Sequence, residues 1–94
     1  MEIVWRLRAL DDLEAARRHI AENNPAAAAR VHAAILTSVA RLANHPNLGR
    51  PGRVPGTRER VVPRTPYIIA YAVIDDELMI LSIMHSARRW PDRF

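Results

Sequence analysis

The sequence predicts an α+β fold of order β-α-α-β-β-β, with an N-terminal helical hairpin packed on one face of a small, mostly antiparallel sheet. Two observations carry most of this. Between Asp11 and Pro46, apolar residues recur at helical spacing in two stretches joined by about two residues. From Arg58 to Trp90, three short apolar runs follow one another closely: Arg58–Val62, Tyr67–Ile74 and Leu78–Met84. They are rich in Ile, Val and Tyr and read as an antiparallel meander. A third observation is Glu2–Arg6 (EIVWR), β-branched and aromatic, which reads as a first strand at a sheet edge.

Each element has a local reason. Asp11 opens the first helix: Leu10 precedes it and Glu14 follows, forming a D-x-x-E capping box. Leu10, Leu13, Ala16 and Ile20 form its apolar stripe, and Asp12, Arg17, Arg18 and Glu22 lie off it. The helix stops near Asn23-Asn24. Asn24-Pro25 starts the second helix, with Asn as N-cap and Pro at the first helical position. Ala26–Ala29 has high helix propensity, and Val31, Ile35, Val39 and Leu42 form a stripe widened by Ala28, Leu36 and Ala43. Pro46 ends it. Helices so closely joined pack antiparallel.

Asn47–Thr57 (NLGRPGRVPGT) is rich in Pro and Gly and reads as a loop rather than an element. In the strand that follows, alternation puts Arg58, Arg60 and Val62 on one face and Glu59 and Val61 on the other. Tyr67–Ile74 is apolar on both faces, as a central strand is. Leu78–Met84 is apolar on both faces apart from Ser82, and His85–Pro91 leaves the sheet as a basic, aromatic tail. One hairpin covers one sheet face. The other is expected to be solvated or filled by a partner.

Ninety-four residues suit one domain, 1–94, that buries roughly 60–65% of its unfolded surface. Without cysteine, disulfide and thiolate chemistry are excluded. No apolar run approaches the ~20 residues of a membrane span, and no secretory signal is visible, so a soluble, cytoplasmic protein is expected. The net charge is +4, all fourteen basic residues are Arg, and the sequence pI is near 11.0. Arg stays protonated and cannot serve as a general base, but it holds phosphates and carboxylates in bidentate fashion.

The candidate functional residues follow from that chemistry. Arg58, Arg60, Arg64, Arg88 and Arg89 stand at the margins of the meander and can bind phosphate or an acidic partner. Their structural alternative is pairing with Glu59, Asp75 or Glu77. His85, at the end of the last strand, is the best-placed acid/base; Glu59, His19, His32 and His45 are the others. Trp90 and Phe94 can anchor a partner or stack on bases, or Trp90 can fold over an open core edge. Trp5, Tyr67 and Tyr71 read as core. No His or carboxylate pair makes a metal site, and no glycine-rich phosphate loop or cofactor motif is present.

Four words in order carry a resemblance. They are Asn44-His45-Pro46 after the hairpin, GRVPGTRE from Gly52 to Glu59, PYIIAY from Pro66 to Tyr71, and a last strand ending in H-x-A-R-R-W-P from His85 to Pro91. Together they span essentially the whole chain, and the chain resembles the RelE/ParE toxins of type II toxin–antitoxin systems, the ParE-like branch in particular. The resemblance implies a small bacterial toxin neutralised by a cognate antitoxin that wraps a partly helical segment around it. ParE-type members poison DNA gyrase, and RelE-type members cut mRNA on the ribosome. RelE-type sites often use lysines and a C-terminal tyrosine; this chain has no Lys, and Trp90 and Phe94 stand where a tyrosine would. The expectation is therefore a non-catalytic, ParE-like toxin acting on gyrase, with ribosome-dependent mRNA cleavage through His85 as the alternative. A degenerate toxin that only binds its antitoxin is a third reading. Target contacts are expected from Arg58, Arg60, Arg64, Arg88, Arg89 and Trp90, and antitoxin contacts from Arg53, Arg60 and Tyr71.

Overall fold

The structure, a computed structural model, describes residues 1–87 and 94. Strand β1 (Glu2–Trp5) leads into helix α1 (Leu7–Ala21) and helix α2 (Pro25–Asn44). Then come β2 (Arg50–Pro51), β3 (Arg58–Val61), β4 (Tyr67–Ile74) and β5 (Glu77–His85). The five strands form one sheet in the order β1-β5-β4-β3-β2. Every pairing is antiparallel except β1 with β5, the first and last strands of the chain, which are parallel. The expected order of elements and the central place of Tyr67–Ile74 hold.

The start of α1 differs from the sequence expectation. The helix begins at Leu7, directly after the last strand bond, Arg6 N to Ile80 O at 3.0 Å. Arg6 is the N-cap and gives no side-chain bond. With no linker between strand and helix, Asp11 and Glu14 fall inside the helix and cannot form a capping box. Glu14 instead pairs with Arg17, Oε1 to Nη2 at 2.6 Å, and that bond lowers its carboxyl pKa. The buried stripe is Ala9, Leu13 and Ala16, and Leu10 points to solvent. Ala9, wholly buried, belongs to the core between α1 and the sheet.

Asp12, expected on the solvent face, bonds across to β5. One carboxylate oxygen accepts from Ser82 Oγ at 2.7 Å and from Ile83 N at 3.0 Å. The β4–β5 register shifts between Ala70 and Tyr71, so Leu81 is an extra residue. Beyond Ile80 no β1 residue is left to pair with β5, and Asp12 satisfies the donors there. Asp12→Ala leaves the buried Ser82 and the Ile83 N–H unpaired. It is expected to lower stability by about 1–3 kcal/mol, measured by urea unfolding.

Helix α2 follows expectation. Asn24 Oδ1 accepts from Ala27 N at 3.0 Å, Pro25 is the first helical residue, and Ala28, Ile35, Val39 and Leu42 are buried. Leu36 is the exception and is exposed. The core lies between the hairpin and the sheet, where these residues meet Val62, Tyr67, Ile69, Tyr71, Leu78, Ile80 and Ile83, with Trp5 at its margin. Among the described residues no helix is long and apolar enough to cross a membrane.

Two further differences concern the far side of the sheet. The Asn47–Thr57 stretch contains β2, which pairs Arg50 with Glu59 and Pro51 with Arg58. The centre of the outer face is covered rather than solvated: Ala70, Ala72, Leu81 and Met84 are buried, with Met79 and Phe94 packed on them. Small residues on β4 leave a hollow, edged by Val54–Thr57, against which Phe94 lies. The Arg8 guanidinium sits 5.9 Å from the centre of the Phe94 ring.

Candidate partner-binding groove

Helix α2 presents two adjoining stripes. Next to the apolar Val31-Ile35-Val39-Leu42 stripe, in which Val31 is only partly buried, runs a second, Arg30, Ala34, Thr37, Ser38 and Arg41, also at helical spacing. It faces the β3–β4 connection across a groove. One cavity, of about 460 Å³, lies between Ala34, Thr37, Ser38 and Arg41 on the helix and Arg60, Pro63 and Arg64 opposite. An adjoining cavity of about 150 Å³ lies between Arg30, Val31 and Ala34 and the turn Pro63-Arg64-Thr65. The two share Ala34, Pro63 and Arg64. Arg30 to Arg41 spans about 16 Å along the helix axis.

Local structure fixes the facing wall. Arg60 pairs with Ile69 and Arg58 with Tyr71, so both arginines project to the helical side of the sheet. Arg64 has φ +63°, a left-handed conformation uncommon for a residue with a side chain. The turn holds it there: Thr65 Oγ1 donates to Val62 O at 3.0 Å and accepts from Tyr67 N at 3.1 Å. Pro63 and Pro66 stiffen it further. Val31, Ala34 and Pro63 supply the apolar lining of the groove, and four guanidinium groups (Arg30, Arg41, Arg60, Arg64) rim it with no carboxylate among the described lining residues.

The residues singled out in the sequence are not one set. Arg60 and Arg64 share the groove. Arg58 does not: its Nη1 donates to Gly49 O at 2.7 Å and ties down the loop after α2. Arg53 lies on that loop, where its backbone N–H donates to Glu59 Oε2 at 2.8 Å. Arg88, Arg89 and Trp90 lie outside the described residues. Glu59, an acid/base candidate, is buried and also accepts from Arg50 Nη2 at 3.2 Å, so its carboxylate is committed to holding the loop. His85 stands edge-on to Tyr67, with ring centres 5.4 Å apart, and its Nδ1 accepts from Ala87 N at 3.1 Å. It does not line the groove, nor do His19, His32 and His45.

Tyr71, which the sequence places at the antitoxin contact, is instead wholly buried. Its hydroxyl donates to Pro46 O at 2.7 Å and accepts from Gly49 N at 2.9 Å. A Cβ at Gly49 would lie 2.5 Å from that hydroxyl, so the loop passes Tyr71 only because residue 49 is glycine. Tyr71 offers a partner no surface; it anchors the loop that carries Arg50 and Arg53.

Arg30, Arg41, Thr37 and Ser38 are not among the residues expected from the sequence. Their signal is helical spacing: 30, 34, 37, 38 and 41 make one face flanking the apolar stripe. Among the described residues no group of three or more His, Asp or Glu is placed to hold a metal ion.

Comparison with known proteins places this geometry. The sequence profile of the ParE toxin of type II toxin–antitoxin system, parDE, matches residues 3–90. The chain belongs to the ParE toxin family. It is similar to Y4kP of Sinorhizobium fredii, 47% identical over 89 residues that cover 95% of this chain and 92% of that one. It is also similar to Toxin RelE2 of Caulobacter vibrioides, 39% identical over 87 residues, 93% of this chain and 97% of that one. Among solved structures, a chain of the chromosomal ParDE toxin–antitoxin system from P. aeruginosa superposes with a TM-score of 0.83 at 30% identity. It covers 90% of this chain and 95% of the other. This ParE-family protein is thus a toxin of a type II system, and an antitoxin is its partner.

Proposed function

We propose that this ParE-family toxin arrests growth by binding DNA gyrase, without cutting nucleic acid itself, and that the antitoxin neutralises it by occupying the α2 groove. The observation behind the non-catalytic reading is that, among the described residues, the clustered guanidinium groups lie apart from the acid/base groups. Cleaving RNA needs a base, an acid and a cation around one phosphate. Here Arg60 and Arg64 face Arg41, whereas His85 is engaged with Tyr67 and Ala87 and Glu59 is buried beneath the loop. Purified toxin in excess is expected to trap gyrase–DNA cleavage complexes in a supercoiling assay. Unaffected supercoiling at that excess would remove gyrase as the target. If in-vitro translation instead shows codon-phased mRNA cuts that His85→Ala abolishes, the RelE-like reading replaces this one.

For the antitoxin, the groove supports an acidic amphipathic helix. The apolar lining suits one face of such a helix, and four guanidinium groups suit its acidic flanks. About 16 Å matches three helical turns.

A further inference from the structure

The wider of the two cavities has a chemistry of its own. Three of its guanidinium groups come from two facing walls: Arg41 from α2, and Arg60 and Arg64 from the β3 strand and the turn after it. Two hydroxyls join them, Thr37 one turn before Arg41 and Ser38 three residues before it, on the same helical face. Among the described residues none of the three arginines has a carboxylate within ion-pair distance. Like charges held together without an internal counter-charge draw their compensation from solution.

We propose that this pocket is a binding site for a free tetrahedral oxyanion of the phosphate class. Phosphate offers more acceptor oxygens than a carboxylate and a charge near −2, which match forked donors on both walls and two hydroxyls on the helical one. The backbone that carries Arg64 is set in its left-handed turn by the Thr65 hydroxyl bonds, so closing on an anion orders the side chain and not the turn. The volume, about 460 Å³, leaves room for a second linked phosphate. Among the described residues no aromatic side chain lines the cavity, so none of them stacks on a nucleotide base there. Pyrophosphate is therefore the better ligand, and a nucleoside diphosphate should bind no tighter than pyrophosphate. This site goes beyond the toxin reading and does not depend on it, because it concerns the chain without any partner.

The test is a heteronuclear NMR titration of the isolated protein with inorganic phosphate, pyrophosphate and ADP, each against sodium chloride at matched ionic strength. The expected result is saturable shifts at the amides of Thr37, Ser38, Arg41, Arg60 and Arg64, with pyrophosphate binding about tenfold more tightly than phosphate. Arg60→Gln and Arg41→Gln, taken from opposite walls, should each weaken pyrophosphate at least about tenfold while spectral dispersion shows an intact fold. Arg17→Gln should change nothing. Shifts that fail to saturate, that sodium chloride reproduces, or that spread equally over Arg6, Arg8 and Arg18 would overturn the proposal. So would full pyrophosphate affinity in both groove variants.

Discussion

Reversing the charge of the groove with Arg41→Glu, Arg60→Glu and Arg64→Glu is expected to weaken the antitoxin complex at least about a thousandfold. The wild-type groove has four guanidinium groups and no carboxylate among its described lining residues, so each reversal removes an attraction and adds a repulsion against an acidic segment. Three such exchanges total about 4 kcal/mol even when partly screened, the equivalent of a thousandfold. The fold should survive, because Arg41 and Arg64 are exposed and Arg60 is only half-buried. Isothermal titration with the cognate antitoxin measures the loss, and circular dichroism checks the fold. Raising salt should slow wild-type association more than it speeds dissociation, and that difference should vanish in the triple variant. A triple variant that binds within about threefold of wild type would show that the segment lies elsewhere.

Replacing Tyr71 by alanine is expected to cost about 3–5 kcal/mol, a large share of the stability of a chain this small. The ring is wholly buried between the hairpin and the sheet, and its hydroxyl spans Pro46 O and Gly49 N. Tyr71→Phe keeps the packing and loses only those bonds, for about 1–3 kcal/mol. The pair of variants separates packing from polar anchoring in thermal unfolding. Burial also raises the Tyr71 phenol pKa. The sign follows: the folded state holds this proton more tightly, so its contribution is complete below about pH 10 and is lost as pH rises through the raised value. Tyr71→Phe should lack that alkaline limb. If Tyr71→Phe instead weakened antitoxin binding at unchanged stability, the hydroxyl would be a contact after all.

What the sequence made legible was whatever periodicity and local caps determine. Asn24-Pro25 announces α2 and its cap forms, and the unbroken apolar run of Tyr67–Ile74 marks the central strand. Long-range choices were not legible. Asp11 and Glu14 make a plausible capping box, but β1 runs straight into the helix and overrides it. Asp12 looks like a surface carboxylate until the bulge in β5 leaves donors within its reach. At the site, alternation along Arg58–Val62 correctly assigned the faces but could not say which arginine bonds a loop carbonyl and which lines a groove. That depends on Gly49 passing over Tyr71 and on the left-handed turn at Arg64, both set by tertiary contact.

Hydrogen exchange of the protein, free and bound to its antitoxin, tests the groove most directly. Occupation of the groove should raise protection in residues 30–41 and 60–65 together, on both walls. Protection confined to the outer sheet face around Ala70 and Leu81, or to the edge of β1, with residues 30–41 unchanged, would contradict it.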